Sequence, residues 1–247
     1  FCASIERVYV HKSIADEFTY EVLKKTKKLT QGIGTVKTNE CGPMISLAQI
    51  EIVKEQLENA VKKGGKILIG GERNENLEGF FFSPTVITSV DNSFKIIQEE
   101  TFGPVLPIIT YETEEEVISL ANDSKYALTA SIWTSDIKKA QKMANQIQAG
   151  TVSINDCVSS FALCQTPWGG PKESGIGRTH GKFGFFEFLE PKHVHIDNNI
   201  NMKRFWWYGY DENRFDMFKQ AINLLFTKNK VNALPKLIKD FMNNKTL

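Results

Sequence analysis

The stretch SLAQIEIVKEQLENAVKKGGKILI, Ser46 through Ile69, decides the fold class. Ile50, Val53, Leu57, Ala60 and Val61 recur at helical spacing over residues 46–63, which makes one face of a helix apolar. Gly64-Gly65 stops that helix, and the short apolar run over residues 66–69 reads as a strand. A helix that stops abruptly and hands over to a strand is the unit of a β-α-β chain.

The same rhythm continues outward in both directions. Upstream, residues 5–11 alternate Ile5, Arg7 and Tyr9 against Glu6, Val8 and Val10, and their β-branched and aromatic content reads as a strand buried on both faces. A helix is expected next, capped by Ser13 with Asp16 three residues on, striped by Ile14, Phe18, Val22 and Leu23, and ended by Gly32 and Gly34. Downstream, Gly70-Gly71 makes a turn, residues 80–86 read as extended with Pro84 interrupting them, and residues 104–110 form another apolar strand. A helix over 113–122, a strand over 130–133, a helix over 136–148 ended by Gly150 and a strand over 151–154 follow. This alternation predicts an α/β fold with a mainly parallel sheet. Glycine and proline then crowd residues 166–184, which marks a long functional loop or a domain crossing.

Composition narrows the function classes. The 247 residues are 41% hydrophobic and 24% charged, an ordinary balance for a chain that folds. Thirty basic and 29 acidic side chains leave a net charge of +1, so no global field is available to hold nucleic acid or an anionic membrane. Cys2, Cys41, Cys157 and Cys164 form no CxxC pair and no disulfide-dense framework, so a reducing compartment, the cytoplasm, is the expected location. Zinc is not expected, and His11, His180, His193 and His195 show no ligand spacing. Cys157 and Cys164 read as buried structural thiols. The chain opens on Phe1 rather than Met, which reads as processing or truncation.

The end of the chain has another character. Phe205-Trp206-Trp207-Tyr208 leads into Phe215, Phe218, Ile222, Leu225 and Phe226 at helical spacing, and Leu234, Leu237, Ile238 and Phe241 form a second stripe. Lysines 219, 228, 230, 236 and 239 lie among them, so an amphipathic, locally basic helical tail is predicted. Its first reading is packing on its own domain or on a sister subunit. The second is peripheral membrane contact, or a guard over a pocket for apolar substrates.

Cys2, alone, is a small thiol at the edge of a strand. Its neighbours and the motifs that follow change its standing. Phe1-Cys2-Ala3-Ser4-Ile5-Glu6-Arg7-Val8 matches the end of a Gly-Gln-x-Cys stretch that leads into a strand. Gly79-Phe80-Phe81-Phe82-Ser83-Pro84-Thr85-Val86 matches a GFFxxPTV strand, and Gln98-Glu99-Glu100-Thr101-Phe102-Gly103-Pro104-Val105 an EExFGPV motif. Residues 122–134 match NxxxYGLxAxVxT with Ala127 for the common glycine, residues 150–155 match GTVxxN, and residues 167–178 match PFGGxKxSGxGR with Trp168 for the usual Phe. In this order, and over roughly the first 195 residues, these motifs resemble the aldehyde dehydrogenase superfamily.

The resemblance implies a fold, a cofactor and a chemistry. It implies a catalytic domain over residues 1–170, a return segment over 171–203 whose residues 192–196 resemble an oligomerisation strand, and the tail over 204–247. It implies oxidation of an aldehyde to a carboxylic acid with NAD or NADP, in a homo-oligomer. Cys2 is then the nucleophile, since a thiolate is the side chain best able to add to a carbonyl carbon near neutral pH. The backbone N–H of Cys2 is one donor to the oxyanion, while an asparagine amide and a carboxylate base are expected before Phe1. Glu100 is assigned to ribose hydroxyls and Phe102 to an apolar contact with the nicotinamide ring. Discharge of the thioester to water or to coenzyme A stays open, as does NAD against NADP. Without the upstream half, the 247 residues by themselves are expected to be inactive. The alternative is a non-catalytic α/β module for assembly or binding.

Overall fold

The structure, a computed structural model, describes residues 1–198, 201, 204, 207–226 and 235. It divides into two compact units, Phe1–Glu190 and Pro191–Leu247.

A four-stranded sheet organises the first unit. Its strands are β1 (Val8–His11), β2 (Lys66–Ile69), β3 (Thr85–Thr88) and β4 (Val105–Tyr111), in the order β1-β4-β3-β2. β1 and β3 run parallel to β4, and β2 closes the sheet antiparallel to β3. Period-two alternation sends Val10, Val86 and Ile108 to one face, beneath α1 (Ala15–Thr26) with its Phe18, Val22 and Leu23. Tyr9, Ile87, Val105 and Ile109 go to the other face, beneath α2 (Leu47–Lys62) with Ile50, Val53, Leu57 and Ala60. The ladder slips between Ile67 and Ile69 of β2, and the slip lets Ile67 join the α2 face while Ile69 joins the α1 face. The sheet therefore carries a core on each side, each buried aliphatic side chain contributing about 1.5–3 kcal/mol.

A short helix α3 (Lys95–Gln98), which the sequence reading did not anticipate, buries Ile96 and Ile97 against α2 and precedes the loop into β4. Helix α4 (Glu114–Asn122) starts on a full capping box, Thr113 accepting from the Glu116 amide while the Glu116 side chain reaches back to the Thr113 amide. Beyond it, β5 (Thr129–Ile132), α5 (Ile137–Ala144) and β6 (Thr151–Ile154) form a parallel β-α-β unit with Asp136 capping α5. The glycine-rich segment after β6 folds back on this unit. Trp168 and Thr179 exchange two backbone hydrogen bonds of 2.8 Å, and Gly170 lies so close to Ala127 that a Cβ would meet its carbonyl oxygen at 2.4 Å. The segment ends in α6 (Gly181–Phe186).

Several expectations need correcting. The first strand begins at Val8, not residue 5, and Cys2 sits in a turn ahead of it rather than at its edge. Ser13 does not cap α1, because a 3-10 turn (Lys12–Ile14) intervenes and the His11 ring accepts the Ser13 amide instead. That helix ends at Thr26, before either glycine, and α5 ends at Ala144 rather than residue 148. Cys157 is only partly covered and Cys164 is exposed, since both lie in the surface segment around a 3-10 turn (Ser159–Ala162).

In the second unit, residues 192–196 take no ladder hydrogen bonds among the described residues, so the expected strand is absent as a paired element. The His193 and His195 rings stack there, 6.3 Å between centroids. Helix α7 (Glu212–Phe226) carries the first predicted stripe, with Met217 buried and Phe215, Leu225 and Phe226 exposed. Phe205, Trp206 and the second stripe, Leu234, Leu237, Ile238 and Phe241, lie outside the described residues. No helix among the described residues is long and apolar enough to cross a membrane.

Candidate active site

The Cys2 segment is a tight turn. Ser4 donates its backbone N–H to the Phe1 carbonyl at 2.9 Å, Ala3 is buried, and Cys2 is left exposed beside it. A buried Ala3 next to an exposed Cys2 fixes which way the thiol-bearing residue turns without covering it. Phe1 meets the Phe161 ring edge-on at 5.7 Å, and Phe161 in turn packs on Trp168 at 5.3 Å and His180 at 5.7 Å. An aromatic wall thus adjoins the turn.

Glu100, Thr101 and Phe102 sit in the loop between α3 and β4, and this loop is held from two sides. From α2, the Gln56 amide donates to the Glu100 carbonyl at 3.3 Å and accepts from the Thr101 hydroxyl at 2.8 Å, while Gln49 donates to the Thr101 carbonyl at 2.8 Å. From the Cys2 segment, Glu6 accepts the backbone N–H of Thr101 at 3.0 Å on one carboxylate oxygen and that of Phe102 at 3.1 Å on the other. Phe102 has a φ of 47°, an uncommon conformation for a non-glycine residue, and the residue is 44% exposed on a loop otherwise tied down.

Partial desolvation pushes the Glu100 carboxyl above the ordinary carboxylate range, and Glu6, four residues after Cys2, pushes it the same way. The structure therefore brings the three residues singled out in the sequence, Cys2, Glu100 and Phe102, onto two adjoining segments of one unit. Sequence reasoning missed the residues that join those segments. Gln49 and Gln56 stand two helical turns apart beside the apolar stripe of α2, and a polar residue as buried as Gln56, 1% exposed, is a signal that it braces something. Glu6, an acid inside an apolar run, was the other available clue.

The chain was compared with known families and structures. The profile of the Aldehyde dehydrogenase family matches residues 1–194. The chain belongs to the aldehyde dehydrogenase family. As an aldehyde dehydrogenase chain it is 42% identical over 197 residues to the betaine aldehyde dehydrogenase of Bacillus subtilis (strain 168), covering 78% of this chain and 40% of that protein. It is 38% identical over 191 residues to the 3-sulfolactaldehyde dehydrogenase of Priestia aryabhattai, covering 77% and 39%. Its fold superposes on the crystal structure of betaine aldehyde dehydrogenase from Staphylococcus aureus in complex with NAD+, with a TM-score of 0.79 and 41% identity over 85% of this chain and 42% of that one. This aldehyde dehydrogenase chain thus spans about two-fifths of the length of the relatives it matches.

Proposed function

We propose that the protein bearing this chain oxidises an aldehyde to a carboxylic acid, with Cys2 as the covalent nucleophile and NAD or NADP as hydride acceptor. The observation that carries the reading is the joining of the Cys2 turn to the Glu100–Phe102 loop through Glu6.

The side chains present fit such a cofactor. Glu100 offers two carboxylate oxygens to the vicinal hydroxyls of a ribose, and Phe102 offers an exposed ring to a flat heteroaromatic. Bound there, nicotinamide supplies an electrophilic carbon that takes up a hydride. This chain's own residues do the rest of what falls to it. The Cys2 sulfur adds to the aldehyde carbon, forming a C–S bond and moving the carbonyl electron pair onto oxygen. The backbone N–H of Cys2 donates to that oxyanion. When the oxyanion collapses, the hydride leaves the former aldehyde carbon and a thioester remains on Cys2. Water, or a second thiol in a transferase variant, then cleaves the C–S bond, releasing the acid or a new thioester and returning the Cys2 thiol.

The two relatives are named for betaine aldehyde and for 3-sulfolactaldehyde, so relatives of similar identity to this chain differ in the aldehyde of their names. Assembly into a homo-oligomer through residues 192–196, with Val194 and Ile196 exposed, is part of the proposal and is checked by light scattering on the full-length protein. The activity itself is tested by following reduced cofactor with the 247-residue chain alone and with the full-length gene product. Turnover by the full-length product only is expected. Turnover by the short chain would show that its residues suffice, and turnover by neither would favour a non-catalytic assembly or binding module.

A further inference from the structure

Glu6 has no part in the chemistry proposed for Cys2, Glu100 and Phe102, yet its side chain joins the Cys2 segment to the Glu100–Phe102 loop. It lies four residues after Cys2, on the segment between the buried Ala3 and β1, and its two carboxylate oxygens take two consecutive backbone amides, Thr101 at 3.0 Å and Phe102 at 3.1 Å. A carboxylate presents one oxygen to each of two diverging N–H groups, whereas an amide in the same pose would turn its NH2 donor toward one of them. The loop it grips needs holding. Phe102 is in the left-handed region at a φ of 47°, a conformation that persists where the surroundings over-determine it. Gln49 and Gln56 fix the carbonyls of Thr101 and Glu100 to α2, but α2 does not carry the nucleophile, so neither bond ties the loop to the Cys2 segment.

Resting on the proposed roles of Cys2, Glu100 and Phe102, we propose that Glu6 is a positioning residue that sets the register between the nucleophile segment and the cofactor-binding loop. By gripping both amides it holds the Glu100 carboxylate and the Phe102 ring at a fixed offset from the Cys2 sulfur, so that cofactor affinity and hydride geometry depend on a side chain that touches neither cofactor nor aldehyde.

The test uses the full-length gene product with NAD as the probe, its affinity read by fluorescence quenching and its turnover split into kcat and KM. Glu6→Gln keeps the volume and loses one acceptor. It is expected to weaken NAD binding about tenfold, the order expected when a charge-assisted hydrogen bond is lost. Glu100→Ala is expected to weaken it as well. Because part of the effect of Glu6 runs through Glu100, the double variant should weaken binding by clearly less than the product of the two single effects. A merely structural role for Glu6 would make the two effects multiply, and that outcome overturns the inference. Unchanged affinity in Glu6→Gln beside a weakened Glu100→Ala overturns the inference while leaving the reading of Glu100 standing. Unchanged affinity in Glu100→Ala overturns that reading and the inference with it. If Glu6→Gln yields no folded protein, Glu6→Asp decides: it keeps the charge but falls about one methylene, roughly 1.5 Å, short, so weakened NAD binding supports the inference and unchanged binding overturns it.

Discussion

Gly103 stands where the loop of the candidate site turns into β4, and its missing side chain is a packing requirement. A Cβ at this position would lie 2.6 Å from Cγ2 of Val53, which is fully buried on α2, and 3.4 Å from Cε of Met44. Gly103→Ala should therefore push the loop off α2, destabilising the fold by about 1–3 kcal/mol, as overpacking a filled core does; a denaturant titration with an unchanged midpoint would refute this. Glu100 makes the opposite kind of demand. Its folded carboxyl is raised by partial desolvation and by Glu6, so on raising the pH the unfolded chain gives up this proton before the folded one does. Stability then falls as the pH climbs through that window, because the folded state holds the extra proton. Glu100→Gln should consequently be more heat-stable than the native protein at neutral pH, with the gap closing below about pH 4, where the carboxyl is protonated in both states. Equal melting temperatures at both pH values would contradict the cause assigned here. A residue that costs stability at neutral pH is what a binding carboxylate looks like before its ligand arrives.

At the scale of elements, α2 does two jobs with one face. Ile50, Val53, Leu57 and Ala60 fill the core over the sheet, while Gln49 and Gln56 bind the site loop. Gln56 makes both of its bonds in a dry place, so Gln56→Ala strips partners from the Thr101 hydroxyl and the Glu100 carbonyl and opens a cavity. A loss of about 1–3 kcal/mol is expected for each buried polar group left unpaired. Thermal unfolding measures it, and a variant as stable as the native protein would mean the loop is held from elsewhere. The α2 helix itself was legible but for one position of its stripe: Ser46 caps it, Ile50, Val53, Leu57 and Ala60 are buried while Val61 is exposed, and Gly64 at a φ of 104° ends it. Elements defined by less than a stripe were not. Helix α3 is a single turn with too few residues to show a period, and α1 starts after Ile14 without a side-chain cap because the 3-10 turn that His11 caps ahead of it leaves no trace in spacing. The strand expected over residues 192–196 depends on a partner for its ladder, and apolar alternation alone cannot supply one.

At the scale of the whole molecule, the architecture explains why the site residues come from distant parts of the chain. Parallel pairing of β1 with β4 aligns Val8 with Ile108, which brings the segments preceding both strands to the same end of the sheet. Cys2 lies on the segment before β1 and the Glu100–Phe102 loop on the one before β4, so pairing two strands about a hundred residues apart in sequence assembles the candidate site. The motifs singled out Cys2, Glu100 and Phe102 through a family resemblance, and the rhythm of helices and strands carried the α/β class. The bond between the two segments could not be read from either, because Glu6 bonds to backbone amides, which no side-chain pattern announces. Whether the joined site works through the Cys2 sulfur is read from steady-state formation of reduced cofactor by the full-length product and its Cys2→Ala variant. The variant should still bind NAD but lose kcat by roughly a thousandfold or more, as removal of a covalent nucleophile does; native turnover by the variant would rule out Cys2 as the nucleophile.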